Sequence, residues 1–291
     1  MTQALKELID LLDLEELEVN IFRGRSPQED RQRVFGGQVL GQALIAAIRT
    51  VDEDDRIAHS MHAYFLRPGD PNIPILYDVD RIRDGRSFTT RRVVAIQHGR
   101  AIFNMSVSFQ RAEQGLEHQV DMPDTPPPEE VPSFDDRVAE YVREHPESAD
   151  EWMQRDRPIE QRFVDHDGLM TGRVERPPYQ RVWLRASGAL PDGLALHQCV
   201  LAYASDLSLL DTSILPHAIN FGPELMAASL DHAMWFHHPF RMDDWVLYVQ
   251  DSPASSGARG FNRGSVYTRE GKLVASMTQE GLIRVIRPGA G

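Results

Sequence analysis

Phe35-Gly36-Gly37-Gln38-Val39-Leu40-Gly41-Gln42-Ala43-Leu44 contains no charged residue, and neither does the sequence on to Ile48. Val39/Leu40, Ala43/Leu44 and Ala47/Ile48 return every four residues, so 37–49 reads as a helix. A helix with so few charges must be largely surrounded by protein. The segments downstream supply the surroundings. Residues 59–66, 75–82, 87–97 and 101–110 are rich in β-branched and aromatic side chains. Turn pairs separate them, notably Asp84-Gly85 and His98-Gly99. One apolar helix followed by antiparallel hairpins is an α+β pattern, physically a helix wrapped by a curved sheet. Upstream, Leu5, Leu8, Ile9 and Leu12 predict a short amphipathic helix, followed by a polar stretch.

The second half repeats this order. A strand is expected at 181–186, a second nearly uncharged helix at 197–210, and strands at 229–238, 245–250, 260–268 and 272–285. His62-Ala63-Tyr64-Phe65 resembles His232-Ala233-Met234-Trp235, and Gly99-Arg100-Ala101-Ile102 resembles Gly271-Lys272-Leu273-Val274. Met105 and Met277 follow the latter pair at equal distance. The shared order, at offsets of about 170 residues, points to one helix-plus-sheet unit used twice. Joined edge to edge, the two units would form one sheet and cover strand edges that otherwise invite aggregation.

Between the halves, Pro123, Pro126, Pro127, Pro128 and Pro132 cluster with Asp124, Glu129 and Glu130. A charged, helical piece is expected at about 135–154. The organisation expected is therefore an N-terminal unit at 1–120, a linker at 121–165 and a C-terminal unit at 166–291. The chain has 291 residues, 41% hydrophobic and 26% charged, enough for each half to bury its own core. The formal charge of −13 argues against a nucleic-acid partner. No stretch approaches the ~18 apolar residues that span a membrane. The first residues lack a basic region followed by an apolar core, and the last carry no organelle address, so a cytoplasmic location is expected.

The chemistry-bearing motifs begin with absences. There is no Gly-x-Ser-x-Gly elbow, no dinucleotide fingerprint, no phosphate loop and no His-Glu-x-x-His motif. Gly257, Gly260 and Gly264 lack cofactor-loop spacing and read as bends in a strand. His237 and His238 point to opposite faces of a strand and make poor joint ligands. No metal and no cofactor is therefore expected. Cys199, the only cysteine, lies in an apolar run and reads as a small core residue. Asp206 is the anomaly. It sits in the second apolar helix with Ala202, Tyr203, Leu209 and Leu210 at helical spacing, where an unpartnered carboxylate is expensive. Asp206 reads either as a helix cap or surface-arginine partner, or as a functional carboxylate facing a cleft. The first helix has no equivalent. Gln279 is a second asymmetry, because the corresponding position of the first half is Val107. A glutamine amide can orient a water by donating and accepting. Ser229 opens the strand before Asp231-His232, a competing pair whose members should face apart.

These blocks resemble the acyl-CoA thioesterase II family, the double hot-dog thioesterases. The resemblance runs through Phe35-Gly36-Gly37-Gln38-Val39, His62-Ala63-Tyr64-Phe65-Leu66-Arg67-Pro68-Gly69-Asp70 and Tyr203-Ala204-Ser205-Asp206-Leu207. It continues through Asp231-His232-Ala233-Met234-Trp235-Phe236-His237, Ala258-Arg259-Gly260 and Val274-Ala275-Ser276-Met277-Thr278-Gln279-Glu280-Gly281. It implies a double hot-dog fold that hydrolyses fatty acyl-CoA. The implied catalytic trio is Asp206, Ser229 and Gln279, with serine where threonine is also found. It further implies a homodimer or homotetramer. A backbone N–H, such as one at a helix N-terminus, would stabilise the oxyanion. Two other readings remain open: a hot-dog hydratase or dehydratase, which would need a histidine such as His217 or His232 beside Asp206, and a non-catalytic acyl-CoA binding protein. Arg67, Arg259 and Arg263 are candidates for the CoA phosphates.

Overall fold

The computed structural model describes residues 1–27, 32–52, 55–145, 156–165, 174–219, 222 and 224–286. The N-terminal half contains α1 (Gln3–Leu12), β1 (Glu15–Glu18), β2 (Ile21–Gly24), α2 (Gly36–Ile48), β3 (Arg56–Phe65), β4 (Ile75–Asp84), β5 (Phe88–Gln97) and β6 (Arg100–Arg111). A connecting segment carries α3 (Phe134–Glu144). The C-terminal half contains β7 (Ile159–Phe163), β8 (Tyr179–Ala186), α4 (Leu194–Ser205), β9 (Leu225–Ser229), β10 (Asp231–Phe236), β11 (Val246–Ser256), β12 (Arg259–Thr268) and β13 (Leu273–Val285).

The strands form one antiparallel sheet in the order β1-β2-β4-β5-β6-β3-β10-β13-β12-β11-β8-β7, with β9 paired to the last part of β13. From the centre outward the order is the same in both directions, as a duplicated unit requires. The joint is the antiparallel pair β3 and β10, with His62 opposite Ala233 and Ala63 opposite His232. The two copies of the repeated His-Ala pair thus face each other across the seam, and neither seam strand is left as an open edge.

The uncharged helices lie side by side and antiparallel beneath this sheet. A Cβ on Gly41 would stand 3.1 Å from the Cys199 carbonyl, and one on Gly37 would collide with that of Tyr203. Small residues one turn apart therefore let the two backbones approach. Leu40 and Leu44 are fully buried, worth roughly 1.5–3 kcal/mol each against exposure. Cys199 is buried in the same core, and loss of water pushes its thiol pKa far up.

Several expectations need correction. The polar stretch after α1 forms the hairpin β1–β2, and 159–163, placed in the linker, pairs with β8 as β7. The linker helix begins at Ser133, whose hydroxyl and Asp136 form a reciprocal cap, and ends at Glu144. The rest of the predicted piece, 146–154, and the expected start of the C-terminal unit, 166–173, lie outside the described residues. Gly260 and Gly264 are not bends: both stand in the regularly paired part of β12. Gly260 lies opposite Gly281 of β13, and side chains there would collide with Ser213 and Leu210. The bare backbone makes a shallow seat for the turn after α4.

Candidate active site

The second helix stops earlier than its periodicity implied. α4 ends at Ser205, and Asp206 is its C-terminal cap with φ −89° and ψ 0°. Leu209 and Leu210 therefore belong to the following turn, not to the helix. That turn docks into the glycine seat, and a buried amide network holds it. Gln180 Nε2 donates to the Ser208 carbonyl, Thr212 Oγ1 and Gln250 Oε1, and Gln250 Nε2 donates to Ser208 Oγ. Buried polar groups so fully partnered fix one conformation.

A carboxylate at a helix C-terminus faces the negative end of that helix dipole. The neighbouring helix offsets this. α2 runs antiparallel to α4, so its positive N-terminus meets Asp206, and the Gly37 N–H donates to the carboxylate. Gly36 permits the approach: a Cβ there would stand 2.6 Å from Asp206 Oδ2.

Two strands complete the arrangement. Gln279 Nε2, from β13, donates to Asp206 Oδ1 at 2.7 Å and to Ser229 Oγ at 2.8 Å. Ser229 Oγ, at the end of β9, donates to Asp206 Oδ1 at 3.3 Å. Ser229 and Gln279 are brought together because Gly281, two residues past Gln279, is the register partner of Ser229. Gln279 is fully buried, and its Oε1 has no partner among the described residues. Asp206 touches the cleft, but protein crowds it on its other sides. This loss of water pushes its pKa up to about 6, against the pull of Gln279, Ser229, the Gly37 N–H and Arg33.

The cleft beside this cluster encloses about 600 Å³. Phe35, Gly36, Val39, Phe65, Ile102 and Phe103 line one wall from the N-terminal half; Asp206, Leu210, Asp211 and Ala227–Leu230 line the other. The cleft is thus lined from both halves. Three of its polar groups are legible in the sequence; the glycine pair is not, its signal there being two successive glycines that open an uncharged helix. Asp211 was also missed. Loss of water, then the Asp206 charge, pushes its pKa to about 7.

The competing pair does not assemble. Asp231 Oδ1 accepts from the Glu280 N–H at 2.7 Å. His232 is fully buried, pairs through Nε2 with Ser205 Oγ at 3.1 Å, and has its pKa pushed down to about 4 by loss of water. His217 is exposed. Among the described residues no hydrogen bond or ion pair joins a histidine to Asp206. His237 is taken up by Ser276. Among the described residues, no helix is long and apolar enough to cross a membrane.

The chain matches known proteins over nearly its whole length. Residues 148–282 match the family model described as acyl-CoA thioesterase, and residues 25–110 match acyl-CoA thioesterase N-terminal domain. Human acyl-coenzyme A thioesterase 8 is 42% identical over 94% of this chain and 88% of its own. Acyl-CoA thioesterase 2 of Haemophilus influenzae is 40% identical over 98% of this chain and 99% of its own. The solved structure of acyl-CoA thioesterase II TesB2 from Mycobacterium marinum superposes with a TM-score of 0.79 at 43% identity, covering 96% of this chain and 98% of that one. A hot-dog protein from Alicyclobacillus acidocaldarius, 19% identical, shares the fold with a TM-score of 0.74. The fold is a double hot-dog, and the protein is an enzyme that hydrolyses acyl-CoA thioesters. The chain belongs to the acyl-CoA thioesterase II family.

Proposed function

We propose that this enzyme hydrolyses fatty acyl-CoA to free fatty acid and CoA with a water activated by Asp206, Ser229 and Gln279. The observation that carries the reading is the closed triangle of hydrogen bonds among these three side chains at the wall of a cleft. Asp206 is the general base. Its raised pKa makes it a better proton acceptor than an exposed carboxylate, while leaving it ionised near neutrality. Ser229 accepts from Gln279 and donates to Asp206, so one hydroxyl lone pair remains to receive a water O–H. Gln279 holds both partners in place.

The water passes one proton to Asp206 as its oxygen attacks the thioester carbonyl carbon. The carbonyl π pair moves to oxygen, and the tetrahedral adduct then collapses by breaking the C–S bond. The departing thiolate takes the proton back from Asp206. No covalent enzyme intermediate forms, in keeping with a buried Cys199 and the missing serine elbow. The apolar wall of Val39, Phe65, Ile102 and Phe103 suits an acyl chain. The units at 1–120 and 166–291 contribute one wall each, and the segment 121–165 that joins them also adds β7 to the sheet of the second. We place the enzyme in the cytoplasm as a homodimer or homotetramer, which light scattering would measure.

The test is thiol release from saturated acyl-CoAs of increasing length by wild type and Asp206→Asn. Loss of about a hundredfold in a folded variant is expected for a missing general base. Full turnover by Asp206→Asn would move the base elsewhere. Hydration of an enoyl-CoA without thiol release would favour a hydratase, and tight binding without turnover a carrier.

A further inference from the structure

Three arginines were equal candidates for the CoA phosphates in the sequence, and the structure separates them. Arg263 pairs with Asp251 on the neighbouring strand, its Nε 3.0 Å from Oδ1. Arg259 pairs with Glu280 at 2.9 Å. A guanidinium already held by a carboxylate has spent much of its field and its best donor geometry. Neither residue lines the cleft.

Arg67 does line it, on the exposed rim formed with Leu66 and Pro68. It donates through Nη1 to the Ala101 carbonyl at 2.6 Å. That bond orients the side chain without cancelling its charge. Among the described residues no carboxylate lies within ion-pairing distance of it, and the nearest acid in sequence, Asp70, is bound to His98. The other arginine of the cleft, Arg33, sits at the reacting end: it pulls on the Asp206 carboxylate and donates to the Ala227 carbonyl, two residues before Ser229. In CoA the pantetheine arm separates the thioester from the phosphates by many bonds. The phosphate end must therefore meet protein away from Asp206, toward the rim. A chain of net charge −13 that takes a polyanionic substrate needs local uncancelled positive charge.

We infer that Arg67 anchors the phosphates of CoA at the mouth of the cleft. This rests on the acyl-CoA reading of the same site. A guanidinium with free N–H groups suits phosphate by its planar fork as well as its charge.

The test measures free CoA binding by calorimetry beside pantetheine binding, in wild type, Arg67→Gln, Arg67→Lys and Arg263→Gln, together with KM for acyl-CoA and acyl-pantetheine. Arg67→Gln should weaken CoA binding and raise KM for acyl-CoA about tenfold, while pantetheine compounds change less than twofold. Arg67→Lys should fall between, and Arg263→Gln should match wild type. CoA affinity unchanged in Arg67→Gln, or equal losses on CoA and pantetheine, would overturn the assignment. Because CoA binding needs no turnover, an absent hydrolysis would refute the thioesterase reading by a separate result.

Discussion

Gln279 reaches Asp206 Oδ1 at 2.7 Å from a strand 73 positions further along the chain. In the first half the equivalent position holds Val107, which is fully buried between Met61 of β3 and Arg91 of β5. One copy of the duplicated sheet thus kept an apolar side chain where the other placed a donor. Gln279→Val should restore the apolar state and leave Asp206 and Ser229 without their shared donor. A fall in kcat of about tenfold to a hundredfold is expected, with KM little changed. Steady-state kinetics on acyl-CoA would check the split.

Asp206→Asn should lose activity and gain stability together. Its folded pKa of about 6 lies above the ordinary aspartate value, so the folded state holds the proton more tightly than the unfolded chain. Folding stability from this group is therefore lost as pH rises from about 4 through about 6. The amide variant does not ionise. Allowing for the carboxylate's contact with the cleft, it should be more stable than wild type by about 1–2 kcal/mol at pH 8, and by less at pH 5. Thermal or urea unfolding at the two pH values would show the difference.

The rate should rise with pH through about 6, because the general base works only when ionised. Asp211 shares the cleft, has its pKa near 7 and interacts with Asp206, so the two titrate as a coupled pair. Asp206 ionises first, and its charge is one of the causes that hold Asp211 higher, so Asp211 is still mostly protonated where the base becomes active. Asp211→Asn should therefore leave the rising limb of the kcat/KM profile near 6. A limb moved to clearly lower pH would show that Asp211 is charged while the base titrates.

Gly36→Ala should separate function from folding. Its methyl would stand 2.6 Å from Asp206 Oδ2, so the carboxylate must shift. A drop in kcat of tenfold or more with a modest loss of stability is expected. Gly37→Ala should do more harm to the fold, because its methyl meets the Tyr203 carbonyl, which is backbone and cannot swing away. A cost of about 1–3 kcal/mol is expected from such overpacking, read from the urea midpoint.

Ser229→Thr should retain most activity, since it keeps the hydroxyl, whereas Ser229→Ala should lose about tenfold to a hundredfold. Ser229 is half-buried at the end of β9 and lines the cleft. Equal activity of Ala and wild type would remove the serine from the water-holding role.

Local periodicity along the chain marks most of the elements and their duplication. An uncharged helix must be wrapped, alternating strands must wrap it, and the repeated His62-Ala63 and His232-Ala233 blocks marked equivalent strands. These are local periodicities, visible along the chain. It also marked Asp206 and Gln279, because a polar group in an apolar context is conspicuous wherever it folds. Where α4 ends, and hence that Asp206 is a cap, depends on contacts the local pattern does not contain. That end is set by the turn docking on Gly260 and Gly281 and by the Gln180–Gln250 network, contacts from distant strands. The role of Gly36 and Gly37 was hidden for the same reason. Their lack of side chains matters only because the other half of the molecule brings a carboxylate and a carbonyl to the bare backbone, and no spacing along the sequence encodes that approach.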